Sequence, residues 1–199
     1  MTYVTAKPLY VANAINGLPA VSFLEASNQG FGSISIPAGS VFSADQVSIF
    51  VVQRYDAGDG ASVFWETSGS TRVALTFLHA SSGNSYFDFG TCCGTDGRAS
   101  AGVSATPYIK NPVIITAIKK RNGSADVTTN GATSVLSSTL VTSTIPLGSA
   151  STLFVGRSAA GNLFSGYIAE VIIFNRALKN EERKLVEKYL GKKWGIKVS

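Results

Sequence analysis

The chain has 199 residues, of which 45% are hydrophobic and 15% charged, and its formal net charge is +5. This length suits one all-β domain with a sizeable core, and so low a charged fraction excludes an intrinsically disordered chain. We therefore expect a single domain over residues 1–199.

The N-terminal segment has none of the features of a secretory leader. Residues 1–11 carry one lysine and lack the apolar run that a signal peptide needs. No stretch of the chain approaches the roughly 18 apolar residues of a membrane-spanning helix. We expect neither a signal peptide nor insertion into a membrane.

Alternation of apolar and polar residues dominates the chain as far as Phe174, and this period of two is typical of β-strands. The predicted strands are Ala20–Glu25, Gly32–Ile36, Val47–Arg54, Ala61–Glu66, Arg72–Leu78, Ser85–Gly90, Val113–Lys119, Ser124–Thr129, Thr152–Gly156 and Gly166–Phe174. Gly-rich and Asn-Gly segments separate them, and the pairs Asn122-Gly123 and Asn130-Gly131 are strong hairpin signals. The pattern predicts an all-β chain of two stacked antiparallel sheets.

The C-terminal segment changes to helical spacing. Asn180 is the predicted N-cap of a helix over about 180–194, and Gly195 follows as its stop. We expect the apolar residues of this helix to pack on the sandwich as one stripe. Those residues are Leu185, Tyr189, Leu190 and Trp194.

All of the excess positive charge lies in this helical segment. Residues 1–175 hold nine basic and nine acidic side chains, whereas residues 176–199 hold eight basic and three acidic ones. A basic tail can indicate nucleic acid or an anionic membrane, and it can also be the solvated face of an amphipathic helix. We favour the solvated face and expect no nucleic-acid partner.

The residues that carry chemistry form no catalytic constellation. Cys92 and Cys93 are adjacent, so they cannot link distant strands, and with the single histidine, His79, they are too few for a structural zinc site. Glu66 and Glu170 stand alone, and glycoside hydrolysis needs a pair of carboxyl groups. We expect no enzymatic activity. We expect Glu170 to be hydrogen-bonded to backbone or paired with a basic group, for instance Arg176 or Arg157.

Two sets of residues are candidates for binding. Aromatic side chains with polar neighbours can stack on a sugar, and loop carboxylates can bind Ca²⁺, which takes six to eight oxygen ligands. The aromatic candidates are Trp65, Tyr55, Tyr86 and Tyr108, and the acidic candidates are Asp56, Asp59, Asp88 and Asp96. Trp65 is a ligand residue if it is exposed and a core residue if it is buried, and the sequence leaves both open.

The last predicted strand and the helix carry a family resemblance. Residues 166–178 read GYIAEVIIFNRAL, Glu181-Glu182-Arg183 begins the helix, and residues 189–195 read YLGKKWG. Together with the opening segment at residues 7–23, this run resembles the laminin-G-like jelly-roll domains of bacterial and phage proteins in the concanavalin A-like lectin/glucanase superfamily.

This resemblance implies a jelly-roll sandwich with one C-terminal helix and a non-catalytic binding or adhesion role. The expected ligand is a glycan or a cell surface, and the expected setting is a phage virion or a bacterial surface, outside the cytosol. The alternative is a purely structural virion protein whose partners are neighbouring subunits, and an oligomer is compatible with both. Calcium is the candidate cofactor.

Overall fold

The computed structural model describes residues 7–27, 29, 31–37, 45–68, 71–79, 81–91, 97–102, 107–121, 123–134, 136–138, 150–158 and 161–199. The strands are β1 (Leu9–Ile15), β2 (Leu18–Phe23), β3 (Phe31–Pro37), β4 (Val47–Gly58), β5 (Ala61–Ser68), β6 (Thr71–Thr76), β7 (Asn84–Thr91), β8 (Arg98–Gly102), β9 (Pro112–Lys119), β10 (Ala125–Thr129), β11 (Ala132–Thr133), β12 (Leu136–Ser138), β13 (Ala150–Val155) and β14 (Phe164–Phe174). A short 3-10 helix spans Glu25–Ser27, and α1 spans Asn180–Trp194. Four residues of the sequence analysis, Cys92, Cys93, Asp96 and Asn122, lie outside the described residues.

The strands form two seven-stranded antiparallel sheets, which confirms the predicted jelly-roll sandwich. Sheet 1 has the order β1-β2-β14-β4-β9-β10-β11, and sheet 2 has the order β12-β8-β7-β6-β5-β13-β3. All ten predicted strands are present. The structure also contains the strands β1, β8, β11 and β12, which the sequence pattern did not predict.

The central strands of sheet 1 are buried on both faces. On β4, Val47, Ile49 and Val51 face sheet 2, whereas Phe50 and Val52 belong to a second core under α1. The strand β9 divides its apolar side chains in the same way. Burial on both faces explains why these two segments read as almost continuous apolar runs rather than alternating ones.

The β14 strand changes its facing residues at a bulge. Its pairing with β4 shifts between Ile168 and Glu170, so Ile168 lies in the core between the sheets while the next core-facing residue is Val171. An extra residue in one strand re-aims the side chains that follow it. The shift turns Glu170 toward α1, where its Oε2 accepts hydrogen bonds from Trp194 Nε1 (2.6 Å) and Lys193 Nζ (2.9 Å).

The predicted partners of Glu170 are therefore wrong, although the expected structural role is supported. Arg176 binds Glu182 instead, with Nη1 2.8 Å from Oε2. The actual partners are 23 and 24 residues further along the chain, and the bulge places Glu170 beside them. This contact attaches the end of α1 to the centre of sheet 1.

The helix α1 covers the outer face of sheet 1 over the predicted range, but its cap differs from the prediction. Lys179 is the N-cap, and its backbone N–H donates to Glu182 Oε2 at 2.8 Å. Asn180 is already helical, and its Oδ1 accepts from Arg183 Nη2. Glu182, at the third helical position, thus reaches back to the N-cap N–H as in a capping box, and Asn180 lies one residue inside the helix rather than at the cap.

The buried face of α1 is also rotated from the predicted one. Leu190 and Trp194 are buried as expected, whereas Leu185 and Tyr189 are 68% and 53% exposed. Arg183 and Glu187 take the inward positions instead. The Glu187 Oε1 atom accepts from Thr116 and Thr128 of sheet 1, and Arg183 Nη1 lies 2.8 Å from Glu187 Oε2.

Trp194, the last residue of α1, and Ser199, five residues after it, are tied to hairpin turns at opposite edges of sheet 1. Asn16, in the β1–β2 turn, donates from Nδ2 to the carbonyl of Trp194 at 2.7 Å. The Ser199 N–H donates to the carbonyl of Asn130 at 3.0 Å, in the β10–β11 turn. Asn130 and Gly131 have φ of +51° and +82°, so this predicted Asn-Gly hairpin is confirmed.

Candidate functional site

The outer face of sheet 2 carries a polar cluster that alternation places there. On β6 and β7, Val73, Leu75, Phe87 and Phe89 point into the core. The intervening side chains therefore project from the opposite face. Those that carry the site are Arg72, Tyr86, Asp88 and, on β8, Arg98, and we call these four residues the Asp88 cluster.

The Asp88 carboxylate is fully buried between two arginines. Arg72 Nε and Nη2 lie 2.9 and 2.5 Å from Oδ2, and Arg98 Nε lies 2.6 Å from Oδ1. A fourth contact joins Arg98 Nη2 to Oδ2 at 2.8 Å. A buried carboxylate is stable only when it is paired and hydrogen-bonded, and these charge-assisted bonds meet that requirement.

Strand register is what brings these three charges together. Asp88 pairs directly with Arg98 on β8, and Arg72 pairs with Gly90, two residues further along β7. The hydrogen bonds that Arg98 donates to Asp88 raise the pKa of Arg98 more than burial lowers it. Arg98 is thus a fixed cation, held in one orientation by a carboxylate beneath it.

The Tyr86 ring stacks against this fixed guanidinium. Arg98 Cζ lies 4.2 Å from the ring centroid, and the Tyr86 hydroxyl donates to Ser82 Oγ at 2.9 Å. The His79 ring meets Tyr86 edge-on, with centroids 5.7 Å apart. Tyr86 is half-buried, so an immobilised aromatic ring, a guanidinium and hydroxyl groups are presented together at one end of sheet 2.

The one histidine forms a local turn contact with serine. His79 Nδ1 lies 3.0 Å from Ser81 Oγ, two residues away in an exposed turn. In the described part of the chain, no carboxylate contacts the other ring nitrogen, so a third group to orient the imidazole is not seen there. The pair has the geometry of a turn and lacks that of a triad.

The structure separates the other aromatic candidates from Tyr86. Tyr55 is buried in the core, its hydroxyl donates to the carbonyl of Gly58 at 2.6 Å, and its ring packs on Phe164. Tyr108 is half-buried against Phe77 in the loop before β9. The backbone of Trp65 pairs with core residue Val73, and its side chain lies outside the described part of the structure.

The acidic candidates that the structure describes, Asp56, Asp59 and Asp88, do not converge. Asp56 binds Arg54 through two hydrogen bonds, of 2.9 and 2.8 Å, and Asp88 is enclosed by its two arginines. Asp59 lies in the turn between β4 and β5. The described residues contain no group of three or more His, Cys, Asp or Glu side chains suited to a metal ion. Calcium binding stays a prediction.

Sequence reasoning missed the arginines of the cluster. Arg72 and Arg98 each occupy the solvent-side position of an alternating strand, and that alternation was the available signal. The segment Arg98-Ala-Ser-Ala-Gly102 has no β-branched or aromatic residue, so it was not predicted as a strand.

The comparisons with known proteins agree on the fold. No protein-family model and no curated protein sequence matches the chain. Domain 4 of AbnA, a GH43 extracellular arabinanase from Geobacillus stearothermophilus, in complex with arabinotriose, is similar with a TM-score of 0.66 at 16% identity, covering 89% of this chain and 79% of that one.

Two further solved structures show the same likeness. A native heptameric SAP-like pentraxin from Limulus polyphemus has a TM-score of 0.59 at 12% identity, covering 79% of this chain and 75% of that one. The binding domain of botulinum neurotoxin serotype D has a TM-score of 0.61 at 13% identity, covering 90% of this chain and 44% of that one. At these identities the similarity shows a shared β-sandwich fold. No helix among the described residues has the length and apolar character required to span a bilayer.

Proposed function

We propose that this chain is a non-catalytic glycan-binding module of the concanavalin A-like, laminin-G-like type, and that its ligand contacts the outer face of sheet 2. The observation that carries the proposal is the Tyr86 ring stacked 4.2 Å from an Arg98 guanidinium that Asp88 immobilises. An aromatic ring offers an apolar face to the C–H groups of a sugar, while the guanidinium and neighbouring hydroxyls bond its oxygens.

Preorganisation is the reason for preferring this place over other exposed aromatics. Holding Arg98 on a buried carboxylate removes most of the rotamer entropy that binding would otherwise cost. Tyr189 on α1 is an exposed tyrosine with a lysine nearby, but Lys193 Nζ lies 5.8 Å from its ring and also binds Glu170. The arabinotriose complex of AbnA domain 4 is a precedent for sugar binding on a similar fold.

The setting that goes with this function is outside the cytosol, on a phage virion or a bacterial surface. In that setting one domain recognises a host or neighbouring glycan, and any catalysis belongs to another protein. Asp88 is the acidic residue of the Asp88 cluster, and its carboxylate binds Arg72 and Arg98. This arrangement positions the arginines and supports a binding role.

A glycan array tests the proposal directly, with calcium in one arm and EDTA in the other. The wild-type protein is expected to bind a restricted set of glycans. Tyr86→Ala is expected to weaken that binding at least about tenfold, the equivalent of about 1.4 kcal/mol. Tyr189→Ala is the matched control and should bind normally. A flat array, or equal loss in both variants, would contradict the proposal.

A second candidate function is assembly with neighbouring subunits, and the edge strand β1 favours it. Leu9 and Tyr10 are 61% and 73% exposed on this uncharged strand at the end of sheet 1. An exposed, uncharged edge is a template for pairing with another strand. Light scattering after size exclusion should show an oligomer that Tyr10→Lys dissociates, and a monomer at all concentrations would remove this candidate.

A further inference from the structure

A recess beside the end of β8, the strand that begins at Arg98, contains a buried hydroxyl group that has no hydrogen-bond partner among the described residues. The recess has a volume of about 190 Å³ and lies where the end of β8 approaches the β10–β11 hairpin of sheet 1. Its walls come from Gly102, from Pro107 and Tyr108, and from Thr129 with residues 132–134. We call it the Tyr108 cleft.

Thr129 is the unusual residue of this cleft. It is 5% exposed, and its Oγ1 has no hydrogen-bond partner in the part of the chain that the structure describes. On the same strand, Ala125 and Val127 lie in the core between the sheets, whereas Thr128 points to Glu187 under α1. Alternation therefore turns Thr129 inward, to the side on which the cleft opens.

An unpartnered buried hydroxyl is costly and calls for an explanation. Leaving such a group unsatisfied is a recognised destabilising feature, and native proteins keep few of them. A second buried polar side chain is in the same situation. Gln53 of β4 is fully buried, and both polar atoms of its amide lack hydrogen-bond partners among the described residues. Gln53 pairs with Val113 on β9, and Thr129 pairs with Ile115 of the same strand, so both belong to one region of sheet 1.

The chemistry of the walls selects a neutral ligand rich in hydroxyl groups. Thr129, Thr133, Ser134 and Tyr108 supply hydroxyls, and none of the described residues that line the cleft is charged. The Tyr108 ring is held in place by an edge-on contact with Phe77, with centroids 5.8 Å apart. The cleft opens to solvent on one side, and its volume of about 190 Å³ leaves room for a sugar ring.

We propose that the Tyr108 cleft is a second carbohydrate site, which binds one neutral monosaccharide unit and uses the Thr129 hydroxyl as its buried hydrogen-bond partner. This site shares no residue with the Asp88 cluster, so it does not rest on the function proposed for the outer face of sheet 2. A protein with both sites would hold a branched or repeating glycan at two points and gain avidity from them.

An NMR titration of the full chain tests the site with named probes. D-Glucose, D-galactose, L-arabinose and N-acetyl-D-glucosamine are added separately to ¹⁵N-labelled protein. At least one of them is expected to shift the backbone amides of Thr129, Ala132 and Ser134 saturably, with a Kd of about 1–10 mM, typical of weak ligands. No saturable shift at these amides with any of the four sugars would overturn the proposal.

Two variants separate a binding role from a structural one. Thr129→Val keeps the shape and removes the unpartnered hydroxyl, so its melting temperature should be equal or higher while the sugar affinity falls at least tenfold. Tyr108→Phe should weaken binding with the fold intact, and Tyr86→Ala should leave this titration unchanged. Unaltered affinity in Thr129→Val would show that the Thr129 hydroxyl takes no part in binding the sugar and would overturn the assignment.

Discussion

The buried pair of Arg183 and Glu187 under α1 gives the sharpest test of how the helix is attached. Replacing Glu187 with alanine removes a carboxylate that is 1% exposed and accepts hydrogen bonds from Thr116, Thr128 and Arg183. Arg183, itself 6% exposed, is then left as a buried cation without its counter-charge.

The expected loss follows from that arrangement. Removing one partner of a buried pair costs about 3–5 kcal/mol, and the two threonine hydroxyls left without their acceptor add to it. A domain is stable by only about 5–15 kcal/mol, so this single change removes a large share of the total. The double variant Arg183→Met/Glu187→Leu leaves no unpaired charge and should lose clearly less than Glu187→Ala alone.

Urea unfolding followed by far-UV circular dichroism and by tryptophan fluorescence measures both variants, since Trp194 in α1 is buried and reports on this core. Asp126→Ala is the matched control. It breaks the Lys120–Asp126 pair, whose side chains are 42% and 41% exposed, and should cost less than about 1 kcal/mol. A loss below about 1 kcal/mol for Glu187→Ala, or a double variant less stable than the single one, would refute the reasoning.

Three further changes have defined outcomes. Gly60→Ala should lower the free energy of unfolding well beyond Gly83→Ala, because both glycines have φ near +65° but a Cβ at Gly60 would lie 1.8 Å from a backbone oxygen while that at Gly83 meets open space; equal thermal shifts would show that φ alone matters. The hydrogen bond from Arg176 lowers the pKa of Glu182 to about 2, so its stabilising effect is complete above about pH 4.5 and is lost as the pH falls toward 2. A carboxyl ¹³C titration should show that pKa rising toward 4.5 in Arg176→Ala. Asp88→Asn should lower the free energy of unfolding by about 3 kcal/mol, since two arginines lose their counter-charge, and a loss below about 1 kcal/mol in urea titration would contradict this account of the cluster.

Much of the fold could be predicted because the spacing of apolar residues along a strand reflects which of its faces are buried. The apolar runs of β4 and β9 and the alternation of β6 and β7 predict strands, the Asn130-Gly131 pair predicts a hairpin turn, and the structure has all of them. The helix range was also predictable from its spacing and its glycine stop.

The rotation of α1 could not be predicted from hydrophobicity. A pattern of apolar residues selects Leu185 and Tyr189 for the core, yet the buried positions go to an ion pair, because Arg183 and Glu187 satisfy each other and two sheet hydroxyls. That satisfaction depends on Thr116, which is 71 residues away in sequence.

The candidate site was harder to predict for the same reason. Tyr86 could be selected as an exposed-face aromatic, but the carboxylate predicted as a calcium ligand, Asp88, turns out to anchor two arginines. Only the pairing of β7 with β8 brings Asp88 and Arg98 opposite each other. Residues on separate strands become neighbours through register, and a single sequence does not contain the register.

The ties between the C-terminal segment and the two hairpin turns have a mechanical consequence. Trp194 is bound by Asn16 at one edge of sheet 1, and Ser199 is bound by Asn130 at the other edge. Residues 194–199 therefore form a brace that connects the two edges across the strands. Fraying of either rim would have to break the brace, so slow amide exchange should extend to β1–β2 and β10–β11 together. The brace does not cross sheet 2, so we expect any change of backbone conformation on ligand binding to occur in sheet 2.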